Sequence, residues 1–129
     1  MTLTSEATLQ AATTIAKTTQ TLIGQEIGCA SYDYITLFFT YDQGDETGLD
    51  IQVHFMRNTG GTAHQEASWT SAGGAKVLTQ DSYRLTADAT SYIIIDIRGI
   101  NYIKFTQGGS ANDGTPTGTL AASYSMTAS

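Results

Sequence analysis

The run Leu49-Asp50-Ile51-Gln52-Val53-His54-Phe55 alternates apolar and polar residues without a break, directly after the turn-rich stretch Asp42 to Gly48. Side chains on a strand point to opposite faces at every step, so this run belongs on a strand with one dry face and one wet one. The alternation recurs in Tyr34 to Tyr41, with Ile35, Leu37, Phe39 and Tyr41 on one side, and in Ser91 to Arg98, with Ile93, Ile95 and Ile97 inward. It continues in Tyr102 to Thr106, with Ile103 and Phe105 inward, and in a last strand carrying Leu120, Ala122, Tyr124 and Met126. Weaker strands are read at Ile23 to Cys29, at Gln65 to Thr70 around Trp69 with Gly73-Gly74 as a break, at Ala75 to Leu78, and at Tyr83 to Leu85. Almost nothing reads as a helix.

About eight strands with turn-rich links and one-faced alternation predict an all-β fold, an antiparallel sandwich of two packed sheets. Among sandwiches, the jelly roll uses about eight strands. The immunoglobulin type pairs a core Trp with a disulfide, and Trp69 has no cystine to pack against. Strand count leaves topology open, so the jelly roll is the expectation and the immunoglobulin-like sandwich its alternative. The 129 residues suffice for one domain with a core of its own.

Residues 1–20 differ from the rest. They are rich in Thr and Ala, lack aromatic residues, and space their apolar positions widely at Leu3, Leu9 and Ile15. A helix from Ser5 to Ala16 is disfavoured by the threonines. The reading is an extended N-terminal arm over 1–20 ahead of a sandwich domain over 21–129. Its apolar residues would anchor it by strand addition to a neighbouring subunit or the surface beneath, the alternative being a simple frayed terminus. A loose loop is expected from Gly108 to Pro116.

Charge and cysteine usage narrow the function. A net charge of -6, with the 6 basic residues scattered, disfavours nucleic acid and anionic membranes as partners. No apolar run approaches the roughly 20 residues of a membrane span. Cys29 is the single cysteine, so no intramolecular disulfide forms. With no signal-peptide pattern at the N-terminus, synthesis and folding in the cytosol are expected.

No chemical motif stands out. Asp42, Asp45, Glu46 and Asp50 could interest a calcium ion, but their spacing fits no EF-hand, and a solvated hairpin loop is the simpler reading. His54 and His64 would need a further strong ligand to hold zinc. Cys29 sits on an apolar parity, as a small buried residue would. Gly60-Gly61 and Gly73-Gly74 lack the lysine and helix of a phosphate loop, and no serine lies in a nucleophile elbow. The expectation is a non-enzymatic protein without cofactor or metal. Phe38 breaks the parity of its strand, Met56 follows its strand on an undetermined face, and Trp69 could stack on a sugar. With Leu3, Leu9 and Ile15 these form the candidate partner interface.

The run from Tyr34 through Gly44-Asp45-Glu46-Thr47-Gly48 to Val53 resembles small tailed-phage virion proteins, in which a strand leads through such a turn into an alternating strand. Tyr92-Ile-Ile-Ile-Asp-Ile97 and Tyr102-Ile-Lys-Phe105 resemble the closing strands of the same family, so the likeness covers roughly residues 30–106. After Phe55 the chain departs from it, with Met56 to Gly61 in place of the expected hairpin. The resemblance implies an auxiliary capsid protein, also called a decoration or cement protein, made in the host cytoplasm. It would sit as a homotrimer on the virion's capsid surface, with the major capsid protein as partner. The alternative is a receptor- or glycan-binding module of the tail or a fibre.

Overall fold

The alternating runs become strands with their apolar parity turned inward. The computed structural model describes residues 2–109 and 115–128, and no helix occurs among them. Most of the loop expected before Pro116 lies outside the described residues. The strands are β1 (Thr2–Leu3), β2 (Ala7–Thr14), β3 (Thr21–Leu22), β4 (Ile27–Gly28), β5 (Tyr34–Asp42), β6 (Leu49–Met56) and β7 (His64–Gln65). They continue with β8 (Ala67–Ala72), β9 (Ala75–Gln80), β10 (Tyr83–Leu85), β11 (Ala89–Asp96), β12 (Tyr102–Gly109) and β13 (Thr119–Ala128).

Sheet one runs β2–β13–β5–β11, with β1 on the same side of β13 as β2. Sheet two runs β10–β6–β12–β3, with β4 also on β12 and β7 also on β6. Every ladder in both is antiparallel. Take β3 and β4 as one broken strand, and leave out β1, β7 and the β8–β9 pair. Eight framework strands remain, and numbered in chain order they form sheets 1-8-3-6 and 2-7-4-5. That is the double Greek-key wiring of a jelly roll, so the expected class holds and the immunoglobulin alternative falls.

The core lies between the sheets. Ile35, Leu37, Phe39 and Tyr41 of β5 meet Ile51 and Val53 of β6 and Ile103 and Phe105 of β12 in one buried cluster. Each such side chain contributes roughly 1.5–3 kcal/mol by leaving water, before the entropy of ordering it is set against that.

Three expectations are corrected. The first 20 residues do not project as an arm: β2 pairs along β13 of its own chain, and Leu9 and Ile15 enter the core. Edge addition does occur, but within the chain, where it supplies the first strand of the jelly roll. The strand expected over Ile23 to Cys29 breaks at Gly24, whose φ is +66° and where a Cβ would stand 2.1 Å from the Leu9 carbonyl oxygen. Only glycine fits both demands. Finally, the acidic link between β5 and β6 is no hairpin, because it carries the chain from sheet one to sheet two.

Candidate interaction surfaces

Strands β8 and β9 form a sheet of their own. They join through Gly73 and Gly74, at φ +57° and +80°. Two positive φ values in a two-residue loop are what a tight hairpin requires, and glycine meets them without strain. All residues from Ala67 to Gln80 are exposed. Trp69 stands opposite Leu78, and Ser71 opposite Lys76, so these four share one hairpin face, while Val77 opposes Thr70 on the other. Trp69 is 65% and Leu78 50% exposed. A lone two-stranded hairpin is marginal in water at best.

Its base is tied to sheet two by backbone bonds. Glu66 N–H donates to the Val53 carbonyl at 2.8 Å and Asp81 N–H to the Glu66 carbonyl at 3.0 Å. The Tyr83 hydroxyl donates to Glu66 Oε1 at 3.4 Å, and Ser68 Oγ to Asp81 Oδ1 at 3.2 Å. Glu66 Oε2 is buried with no hydrogen-bond partner among the described residues. Burial, with the nearby Asp81 charge, pushes the Glu66 carboxyl above its ordinary value although the Tyr83 bond opposes this.

The second surface is the outer face of sheet one. Phe38 stands opposite Tyr92 on β11 and Ser123 on β13, and Ser123 in turn opposes Thr8 on β2. The Phe38 and Tyr92 rings lie 6.4 Å apart, tilted by 54°, a favourable aromatic geometry. They line an open groove of about 630 Å³ whose one charged lining residue, among the described residues, is Glu6. Tyr92 and Ile94 are 58% and 57% exposed, on a strand that forms one edge of the sheet among the described residues.

Of the six candidate interface residues, the structure leaves Leu3 and Trp69 exposed and Phe38 half-buried. Leu9, Ile15 and Met56 are corrected, since all three are buried within the chain. Leu78, Tyr92 and Ile94 join the surfaces without having been singled out from sequence. The tandem glycines 73 and 74 between two strand-like runs were the available signal for the hairpin.

Of the residues weighed for chemistry, Glu46, Asp50, His54 and Cys29 have structural partners. Glu46 is buried and accepts bonds from the Tyr41 hydroxyl at 2.8 Å, Gly44 N–H at 2.7 Å and Gly118 N–H at 2.8 Å. Burial pushes its pKa up, but these donors outweigh burial and hold it below the ordinary value. The solvated-loop reading is thus corrected at Glu46. Asp50 binds Arg84 through two bonds of 2.7 and 3.0 Å across β6 and β10. His54 Nε2 lies 3.0 Å from Thr106 Oγ1, and burial with the Lys104 charge lowers its pKa. The strand pairing sets His64 opposite Phe55 and leaves His54 opposite Gln65. Burial pushes the Cys29 thiol up to about 11, and it donates to the Ile100 carbonyl at 3.5 Å. Among the described residues no three His, Cys, Asp or Glu side chains converge to hold a metal ion.

No protein-family model matches the sequence, and no curated protein is significantly similar to it. Solved structures do share its fold. One is the SPBc2 prophage-derived protein YomS, with a TM-score of 0.55 and 15% identity over 98% of this chain and 95% of that one. Another is a chain in the structure of infectious bursal disease virus, Gx strain, with a TM-score of 0.54 and 12% identity. That match covers 98% of this chain but 32% of the viral one. At such identities the likeness is one of fold.

Proposed function

We propose that this chain is a non-enzymatic structural protein of a tailed-phage virion, a decoration protein that binds the major capsid protein and stabilises the shell. The observation that carries the reading is the β8–β9 hairpin, exposed along its whole length and bearing Trp69 and Leu78. A jelly roll that projects such an element is suited to holding other chains, and Trp is a frequent anchor of protein interfaces. The fold shared with a prophage-derived protein and a viral chain supports the same direction. So does the resemblance over residues 30–106. Stabilisation comes from multivalency: many copies of a modest contact, each spanning a junction between capsid subunits, resist expansion together.

The test is to add the purified chain to undecorated shells of the phage that encodes it. Saturable co-sedimentation and a raised disruption temperature of the shell are expected. Absence of binding to shells, with binding to tails, would overturn the reading.

The exposed indole and the hydroxyl-rich groove beside Tyr92 favour one other reading, a glycan-binding module of the tail or a fibre, since jelly rolls also build lectin domains. Saturable sugar binding that is lost in Trp69→Ala or Tyr92→Ala would identify it.

A further inference from the structure

We propose that the β8–β9 hairpin of one copy lies in the sheet-one groove of a second copy, with Trp69 and Leu78 against Phe38 and Tyr92, and Lys76 against Glu6. The two surfaces match in chemistry. The hairpin face offers an indole, a leucine and a cation, because Lys76 is the one charged residue between Ala67 and Gln80. The groove offers two aromatic rings and, in Glu6, an anion. This local attraction stands out on a chain whose net charge of -6 otherwise makes copies repel.

The dimensions match as well. The groove crosses the four strands β2, β13, β5 and β11, roughly 14 Å at the usual strand spacing, and a six-residue strand reaches roughly 20 Å. No residue of the hairpin lines the groove of its own chain. Seating it on a neighbour would also give a marginal two-stranded element the apolar cover it lacks. Hairpin and groove are different patches, so the contact either pairs two copies reciprocally about a two-fold axis or runs head-to-tail into a closed ring or an open row. The proposal rests on the decoration reading and deepens it: copies on a shell grip one another through the Trp69 face, and the opposite hairpin face, with Val77, stays open to the shell. It is nevertheless tested on the free protein, so its failure and that of capsid binding are separable.

The experiment is sedimentation of the full chain over a concentration series, with tryptophan emission read on the same samples. Trp69 is the only tryptophan, so emission reports the hairpin alone. Assembly accompanied by a blue shift of emission is expected. Lys76→Glu should raise the dissociation constant about tenfold or more, and Glu6→Lys in the same chain should restore most of the loss. Tyr92→Ala should weaken assembly without changing the fold, since the side chain is exposed. A chain that stays monomeric at every concentration would overturn the proposal. So would assembly that leaves emission and the charge variants unmoved, or a blue shift that appears only when shells are added.

Discussion

The hydroxyl of Tyr41, a residue of the core, donates at 2.8 Å to Glu46 Oε2, a carboxylate buried where the chain passes from one sheet to the other. The same carboxylate takes N–H groups from Gly44 and Gly118. It thereby ties the β5–β6 link to the residue that precedes β13. Glu46→Ala would remove the acceptor shared by the buried Tyr41 hydroxyl and two backbone donors, at a cost of roughly 3 kcal/mol or more. Asp45→Ala, on the exposed side of the same turn, should change stability by no more than about 0.5 kcal/mol. Urea unfolding of the two variants checks the contrast.

Glu46 also sets an acid limit. Its folded pKa lies below the ordinary 4.5, so its contribution is complete above that value and is lost as pH falls through the folded pKa. Wild-type stability should drop steeply below about pH 4.5, and Glu46→Gln should flatten that part of the profile.

Glu66 acts with the opposite sign. Its pKa is raised in the folded chain, so the folded state holds a proton that the unfolded state has released. Stability therefore falls as pH rises from 4.5 through the raised value, and remains lower above it. Glu66→Gln should remove this slope and stabilise the chain at neutral pH by on the order of 1 kcal/mol, because a buried charge with one oxygen unpaired is gone. The measurement is urea unfolding of both proteins across that pH range.

The N-terminal segment offers a direct check of the fold. Leu9→Ala should cost about 2–4 kcal/mol, and deleting residues 2–18 should remove a sandwich strand and prevent cooperative folding. Gly24→Ala should be comparably damaging, since its Cβ would meet the Leu9 carbonyl at 2.1 Å. Thermal unfolding followed by circular dichroism is sufficient. A truncated chain with an unchanged midpoint would mean that β2 is dispensable.

Half-buried framework strands were legible in the sequence because one face is dry and the other wet. That is why Ile35 to Tyr41, Leu49 to Val53 and Ile93 to Ile97 could be oriented from their alternation alone. Strand β2 was not legible. Its residues are mostly small or exposed, Leu9 is its one buried side chain, and its pairing with β13 shifts register between Leu120 and Ser123. Nothing in such a run keeps a period of two. Residues 65–78 were legible as two strands broken at Gly73-Gly74 but not in their place, because strand propensity does not say whether a strand enters the main sheets or stands off them. The Phe38 anomaly was visible as broken parity, but its cause, the facing Tyr92, depends on pairing that distant segments decide.

The measurement that bears most directly on the central claim is quantitative mass spectrometry of purified particles, giving the molar ratio of this chain to the major capsid protein. The decoration reading predicts a fixed ratio characteristic of the capsid lattice, unchanged between tailless heads and whole virions. A chain present only at the copy number of a tail component, and absent from tailless heads, would contradict it.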